Sequence, residues 1–313
     1  MQLRPLGQTG LLISTISLGC GPVSGLMTGS DPERQLAVVD EAIRSGINWF
    51  DTAPGYGDGR SEQNLGRCLA ICDPQAQLQI GTKVRLLRTA GGTIREQIRR
   101  SIETSLARLQ RPSVALLQLH NAITHQPDEQ PFSVTPDEIL GTGGVADCVA
   151  ELQREGLIQA AGLTGTGTTE AISKVVRSGR FQTIQLPLNL LHALPGADPQ
   201  PLQILADCQS ASMSILAIRV FAAGALLGRP PSDHTLRTPF FPLALYERDT
   251  VQASEFHRDL QPNELLARAI RYPLSQPAVA SAIIGFAAAA EVRQLSGILE
   301  AAPAARHEAF PPG

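Results

Sequence analysis

Short apolar runs alternate with helical patterns along nearly the whole chain. Eight of these runs have the length and the branched side chains of strands that are covered on both faces. They are ISTISLG (13–19), INWFD (47–51), LQIGTKV (78–84), VALLQLH (114–120), LIQAAGL (157–163), TIQLPL (183–188), MSILAIR (213–219) and ASAIIG (280–285). This alternation is typical of a parallel sheet wrapped by helices, and eight units predict an α/β fold of the (β/α)8 TIM barrel type.

The segments between these runs carry helix-start signals and helical spacing. Asp31-Pro32-Glu33 combines a capping residue, a proline in the first turn and an early acid, so it begins the first helix. Further helices are predicted to begin at Ser61-Glu62 and to cover 93–109, 145–155, 169–177, 201–209, 262–270 and 288–299.

Two stretches fall outside this rhythm and are predicted to be long loops at the carboxyl-end face, over 125–144 and 228–261. Loops of that length on a barrel usually act as lids or binding loops. Residues 1–14 contain apolar segments on either side of GQTG and predict a β-hairpin that plugs the barrel bottom. Residues 302–313 are predicted to be an irregular tail. The whole chain, 1–313, is expected to form one barrel domain.

Composition narrows the classes of partner. The 313 residues are 43% hydrophobic and 18% charged, which suits one large barrel or two ordinary domains. A formal net charge of -3 without a dense Lys/Arg run predicts binding neither to nucleic acid nor to an anionic membrane. No apolar stretch approaches the roughly 20 residues of a membrane span. Small molecules are the expected ligands, and the sequence leaves the oligomeric state open.

The five cysteines are odd in number and widely scattered, and the start MQLRPLG has no apolar signal core. Both features predict a cytoplasmic protein in a reducing compartment. Cys68 and Cys72 lie four apart on a predicted helix, but tetrahedral zinc needs two more ligands at a recognisable spacing. No metal site is predicted.

Four polar residues each close or closely follow a predicted strand: Asp51, Tyr56, Lys83 and His120. Barrel enzymes keep their chemistry at the carboxyl ends of the strands, so these side chains are expected to share one site. Taken singly, each has a structural interpretation, such as a cap, a loop aromatic, a surface charge or a buried imidazole. Convergence of all four at one rim favours a functional site. A metal-dependent hydrolase using His120 and Asp51 would need further ligands that the sequence does not show.

Several segments together resemble the aldo-keto reductase superfamily: LGQTGLLISTISLGCG, GINWFDTAPGYGDGRSEQNLG, TKV, LLQLHN and AIIGF. The most specific is the DTAPGYGDGRSE block in combination with the downstream TKV and LQLH, and the likeness spans almost the entire chain. The resemblance implies a barrel that binds NADP(H), or less often NAD(H), along the strand ends without a Rossmann glycine motif. It also implies a carbonyl or alcohol substrate.

The resemblance assigns roles to the four residues. Tyr56 would give a proton to the carbonyl oxygen, and its pKa, about 10 when unperturbed, is expected to be lowered toward neutrality by the Lys83 ammonium. Asp51 would pair with Lys83, because an ammonium in a barrel mouth is costly without a partner. His120 would hydrogen-bond the substrate oxygen. In the oxidative direction Tyr56 becomes the base.

The cofactor contacts depart from the family pattern. Thr164 stands in place of a serine that holds the nicotinamide carboxamide, but Gly165 cannot replace the usual asparagine, and Gln185 matches the family glutamine. Ile218 replaces a stacking aromatic residue, and Arg219 replaces a small serine, so Arg219 is predicted to bind a cofactor phosphate or a substrate anion.

The remaining cofactor candidates lie after the first and last barrel strands. Gly19, Cys20 and Gly21 permit close approach of the cofactor sugar backbone, or form only a tight turn. Near Gly285 the sequence is almost apolar before Glu291, a carboxylate that would repel a 2'-phosphate. NADP(H) is slightly preferred over NAD(H), since arginines from 228–261 can supply the missing charge.

Substrate identity rests on weaker signals. Pro22, Trp49 and Asn121 are predicted to line the pocket, although Trp49 is equally interpretable as core packing. The family likeness favours an aldehyde, including an aldose. The main hypothesis is an NAD(P)-dependent oxidoreductase of the carbonyl reductase or alcohol dehydrogenase type. The alternative is a dinucleotide-binding regulatory or interaction subunit with little turnover, motivated by Gly165 and Ile218.

Overall fold

The computed structural model describes residues 1–75, 77–237 and 243–301. Strands β1 (Leu3–Pro5) and β2 (Leu12–Ser14) form an antiparallel hairpin. The barrel strands are β3 (Ile16–Gly19), β4 (Trp49–Asp51), β5 (Gln79–Val84), β6 (Val114–Leu119), β7 (Ile158–Thr164), β8 (Thr183–Pro187), β9 (Ser214–Ile218) and β10 (Val279–Ile284). Each pairs in parallel with its neighbour in the chain, and β10 closes the barrel against β3. The predicted (β/α)8 barrel is confirmed.

The first apolar run is divided between two sheets, which corrects the prediction of one strand over 13–19. Ile13 and Ser14 belong to the hairpin, and only Ile16 onward enters the barrel. Thr15 between them donates its backbone N–H to Gln2 O at 2.9 Å, so the chain leaves the hairpin there. The predicted N-terminal hairpin itself is confirmed.

Helices α1 (Pro32–Arg44), α2 (Arg60–Cys72), α3 (Ile94–Leu109), α4 (Pro136–Leu140), α5 (Val145–Arg154), α6 (Thr169–Arg177), α7 (Gln200–Ser210), α8 (Asp233–Arg237), α9 (Leu243–Asp259), α10 (Pro262–Ser275) and α11 (Ala289–Ala301) surround the barrel. Short 3-10 helices cover Arg88–Ala90, Leu190–Ala193 and Ala222–Leu227. Asp31 caps α1 through Arg34 N at 3.0 Å, as its position before the proline predicts. Thr93 and Glu96 form a capping box at α3.

The stretch 228–261 is largely helical, so the prediction of a long loop there is wrong. Its helix α9 buries Tyr246, Asp249 and Ala253, which recur at helical spacing and face the rest of the protein. His257 hydrogen-bonds Leu226 O at 3.0 Å and ties α9 to the 3-10 helix after β9. The stretch 125–144 likewise contains the short helix α4. The predicted tail, 302–313, lies outside the described residues.

The hairpin fills the bottom of the barrel with apolar side chains. Leu6 and Ile13 pack with Trp49, Leu116 and Leu216 inside the barrel, all buried. A second, larger core lies between the strands and the surrounding helices. Since the bottom is packed, the open space inside the barrel lies at the opposite end, where the strands terminate. Across the described ranges, no helix is long and apolar enough to cross a membrane.

Candidate active site

A cavity of about 830 Å³ opens at the carboxyl ends of the barrel strands. Its lining comes from the ends of the strands and the segments that follow them, from Gly19 at the end of β3 round to Gly285 after β10. Of the four residues predicted to share a site, Asp51, Tyr56 and His120 line this cavity, and Lys83 is buried directly beneath it. The structure therefore brings the four side chains together.

Asp51 and Lys83 form a buried ion pair at the ends of the adjacent strands β4 and β5. Lys83 Nζ lies 2.5 Å from Asp51 Oδ1 and donates a second hydrogen bond to Thr52 O at 2.8 Å. Burial alone would lower the pKa of Lys83, but the Asp51 carboxylate and Tyr56 raise it by more. Lys83 therefore stays charged across the physiological range.

Tyr56 lies over this pair and against His120. Lys83 Nζ is 4.8 Å from the centre of the Tyr56 ring. The rings of Tyr56 and His120 meet edge to face, with their centres 5.9 Å apart and an interplanar angle of 86°. A phenol, an imidazole and an ammonium thus converge on one wall of the cavity, which is the chemistry required to deliver a proton to a polar ligand atom.

The loop that carries Tyr56 is held by hydrogen bonds at its base. Tyr56 N donates to Ala53 O at 3.1 Å, and Ser61 N donates to Tyr56 O at 3.2 Å. Ser61 Oγ lies 2.8 Å from Thr52 Oγ1 and donates to Cys20 O at 2.8 Å. The start of α2 is thereby fixed against the ends of β3 and β4, and the Tyr56 ring is positioned by a rigid frame.

The prediction that Lys83 lowers the pKa of Tyr56 toward neutrality is corrected by the structure. Burial raises the pKa of Tyr56, and the opposing effect of Lys83 is smaller. The phenol therefore keeps its proton at neutral pH, and Lys83 limits the rise. In this state the side chain is a proton donor.

Two glutamines bind the second carboxylate oxygen of Asp51, and sequence reasoning missed this contact for both. Gln118 Nε2 donates to Asp51 Oδ2 at 3.3 Å, and Gln185 Nε2 donates to the same oxygen. Gln185, which is predicted to hold a cofactor amide, lines the cavity and uses its Nε2 to bind Asp51. The position of Gln118 two residues before His120 was an available signal, because residues i and i+2 of a strand share a face.

His120 is partly buried and neutral. Burial, together with the charges of Lys83 and Arg85, lowers its pKa well below the usual range. Arg85 Nη2 lies 3.4 Å from His120 Nδ1. Arginine has no acceptor, so Nδ1 accepts this contact and the proton resides on Nε2. Sequence reasoning missed Arg85 as well, although it lies two residues after Lys83 on the same strand face.

Most of the other predicted contact residues lie in the cavity wall. Those that line it are Gly19, Gly21, Pro22, Thr164, Gln185, Arg219, Gly285 and Glu291. Within the described part of the chain, the buried hydroxyl of Thr164 has no hydrogen-bond partner. A Cβ at Gly21 would lie 3.6 Å from the Tyr56 ring, so glycine leaves room beside the phenol. An unsatisfied hydroxyl and a glycine-lined wall fit a polar, planar group such as a nicotinamide carboxamide.

Three predicted contact residues do not reach the cavity. Trp49 is fully buried inside the barrel one layer below Asp51, packed on Leu6 and Ile13 of the hairpin end. Asn121 is buried because its amide binds the backbone of Leu86 and, at 2.6 Å, Phe132 O. These side chains therefore stabilise the fold instead of lining the pocket.

Cys20 is the third of these residues. Its side chain is fully buried, its N–H donates to Asp51 O at 2.8 Å, and its carbonyl accepts from Ser61. Because both backbone groups are occupied, the predicted cofactor contact at Cys20 is corrected. The neighbours Gly19 and Gly21 do line the cavity.

The charged groups on the cavity wall formed by the segments after β9 and β10 are ion-paired. Arg219 Nη2 lies 2.7 Å from Asp249 Oδ2, and Arg248 binds the other oxygen of Asp249 at 3.0 Å. Arg229 Nη1 lies 3.0 Å from Glu291 Oε1. Glu291 also accepts from Ala287 N at 2.7 Å. The carboxylate after β10 therefore has an arginine beside it, contributed by the segment after β9.

A closed (β/α)8 barrel with ionisable side chains converging at its carboxyl-end rim has the architecture of a barrel enzyme. Residues 15–306 match the sequence model of the Aldo/keto reductase family. The chain belongs to this family, and the resemblance drawn from the motifs is confirmed.

Individual relatives are similar over nearly their whole length. L-galactose dehydrogenase of Arabidopsis thaliana is 25% identical over 295 residues, which is 94% of this chain and 86% of that protein. D-threo-aldose 1-dehydrogenase of a Pseudomonas species is 27% identical over 312 residues, or 91% and 89% of the two chains. The holo form of an aldo-keto reductase from Bacillus halodurans superimposes with a TM-score of 0.72 at 22% identity, covering 97% of this chain and 92% of that one. This last likeness shows the shared fold.

Proposed function

We propose that the protein is an NAD(P)-dependent oxidoreductase that interconverts a carbonyl compound and its alcohol, with Tyr56 as the general acid and base. The observation that carries this proposal is the arrangement at the cavity floor. Tyr56 meets His120 edge to face and lies over Lys83, which is paired with Asp51. Together they supply a proton donor, a hydrogen-bond donor and a charge that stabilises a phenolate.

When bound, the reduced nicotinamide would supply the hydride. His120 donates a hydrogen bond from Nε2–H to the substrate oxygen and orients the carbonyl. Tyr56 gives its phenolic proton to that oxygen as charge develops on it, and the ammonium of Lys83 stabilises the resulting phenolate. Asp51 holds Lys83 in place, and Gln118 and Gln185 hold Asp51. In the opposite direction Tyr56 takes up the proton.

Thr164 is the residue we assign to the cofactor carboxamide, and Arg219 and Arg229 are the charged residues we assign to its phosphates. Glu291 does not exclude a 2'-phosphate, because Arg229 lies beside it at 3.0 Å. We therefore propose NADP(H) as the slightly preferred cofactor and NAD(H) as the alternative. The names of the two relatives, an L-galactose and an aldose dehydrogenase, support an aldehyde or aldose as the substrate.

The test replaces Tyr56 with phenylalanine. Binding of NADPH and NADH is followed by nicotinamide fluorescence, and turnover is measured with a panel of aldehydes and alcohols. Tyr56→Phe should retain cofactor binding and lose about 10²- to 10⁴-fold in kcat. Tyr272→Phe is the matched control, since this buried tyrosine lies on α10 outside the cavity lining.

Two results would contradict the proposal. Full activity of Tyr56→Phe would remove the tyrosine from the chemistry. Tight cofactor binding by the native protein without turnover of any carbonyl or alcohol in the panel would instead indicate a dinucleotide-binding regulatory subunit.

A further inference from the structure

Arg85 places a positive charge on the wall of the cavity beside the substrate-binding imidazole. It follows the end of β5, two residues beyond Lys83, and it is one of the residues that line the cavity. Its Nη2 is 3.4 Å from His120 Nδ1, and its guanidinium carbon lies 5.2 Å from the centre of the Phe132 ring. The imidazole on one side and the aromatic face on the other fix where the charge lies.

The charged wall around Arg85 is separate from the wall assigned to the cofactor. Thr164 ends β7, and Arg219, Arg229 and Glu291 follow β9 and β10. Arg85, by contrast, follows β5, and its neighbours His120 and Phe132 both follow β6. A group bound by Arg85 therefore belongs to the molecule whose carbonyl is held by His120.

We infer that the substrate is an oxo acid, in which a carboxylate lies within a few bonds of the reacting carbonyl, and that Arg85 binds this carboxylate. This inference rests on the proposed function. A guanidinium presents a planar fork of N–H donors that matches a carboxylate, and such charge-assisted contacts are the strong ones. Because the cation is next to His120, the carboxylate and the carbonyl oxygen must be close in the substrate.

The reaction balances with the groups named. The hydride of a reduced nicotinamide dinucleotide adds to the carbonyl carbon, the π electron pair moves to the oxygen, and that oxygen takes the phenolic proton of Tyr56. The products are a hydroxy acid and the oxidised dinucleotide, and the phenolate recovers a proton from solvent. The carboxylate is unchanged, and Arg85 acts in binding and specificity.

The contact between Arg85 and His120 allows a competing role, in which Arg85 only sets the tautomer of the imidazole. The two roles differ in substrate dependence. A tautomer role lowers turnover of every carbonyl compound alike, whereas carboxylate binding affects only substrates that carry the charge.

The test compares succinic semialdehyde with its uncharged methyl ester. The native protein should show the higher kcat/KM with the acid. Arg85→Met should lose about 10- to 100-fold in kcat/KM for the acid, mostly through KM, and change little for the ester. Arg85→Lys should recover part of the loss. Arg88→Met is the matched control, since Arg88 is paired on the outside with Asp128 and Glu138 and should leave both substrates unaffected.

Equal losses for acid and ester in Arg85→Met, or no preference for the acid in the native protein, would overturn the inference while leaving the oxidoreductase intact. If neither compound is turned over, binding of succinate to the protein with its nicotinamide cofactor is measured by nicotinamide fluorescence. Succinate binding that Arg85→Met weakens by tenfold or more supports the carboxylate site even then, and equal binding to both proteins refutes it.

Discussion

Replacement of Lys83 by methionine removes one partner of the buried ion pair and tests the energetic basis of the site. The side chain of Lys83 is fully buried and that of Asp51 is 5% exposed, so solvent cannot screen the charge left behind. Removing one partner of such a pair costs about 3–5 kcal/mol. Asp51 retains hydrogen bonds from Gln118 and Gln185 in the variant. We therefore expect the lower end, a loss of about 3 kcal/mol.

Urea unfolding followed by tryptophan fluorescence measures this loss, because Trp49 is the one tryptophan of the sequence and is fully buried. For a chain of this length the urea dependence is at least about 3 kcal/mol per molar, so the midpoint should fall by up to about 1 M. The double variant Asp51→Asn, Lys83→Met removes both charges. It should be less destabilised than the sum of the single variants by about 2 kcal/mol.

The pH dependence of stability is an independent test of the contribution of Lys83. The folded-state pKa of Lys83 is raised, so its contribution to stability is fully present below the ordinary lysine pKa of about 10.4 and is lost as pH rises through the folded value. The difference in stability between native protein and Lys83→Met should therefore shrink in strong alkali. Equal midpoints at neutral pH, or strictly additive losses in the double variant, would refute the reasoning.

Three other expectations concern His120, Trp49 and the Arg229–Glu291 ion pair. The folded-state pKa of His120 is lowered, so its contribution to stability is present above about pH 6.5 and is lost as the pH falls below that value. The stability of His120→Gln should therefore depend less on pH in the acid range than that of the native protein. Parallel curves of stability against pH would contradict this expectation. Trp49→Ala should lose about 3–5 kcal/mol of stability in urea unfolding followed by circular dichroism, since it removes the one tryptophan of the sequence. It should leave KM unchanged, and an altered KM would return Trp49 to the pocket. Arg229→Met removes the ion-pair partner of Glu291, whose carboxylate then lies beside the proposed site of the cofactor phosphates. In fluorescence titrations NADPH binding should weaken about tenfold more than NADH binding. Equal weakening of both would show that the Arg229–Glu291 pair does not determine the choice between the two cofactors.

The positions of Asp51, Lys83 and His120 were predictable because they depend on local pattern and topology. Short apolar runs between helical patterns define the strands, and parallel strands in a closed barrel all end at one rim. A polar residue at the end of such a run must then face that rim or the space just inside it. The same logic, applied to residues two positions away, also places Gln118 and Arg85 on the interior face.

The sequence by itself determined the barrel, its hairpin plug and the meeting of Asp51, Tyr56, Lys83 and His120 at the rim, since these follow from the order of apolar runs and from motifs beside them. Only the tertiary structure decided that Gln185 holds Asp51, that Arg229 lies beside Glu291 and that Trp49 fills the barrel below the site. It also decided the direction of the Tyr56 pKa shift, because burial raises this pKa by more than the Lys83 ammonium lowers it. Ion pairing and desolvation depend on distances between segments far apart in the chain, and no local pattern encodes those distances.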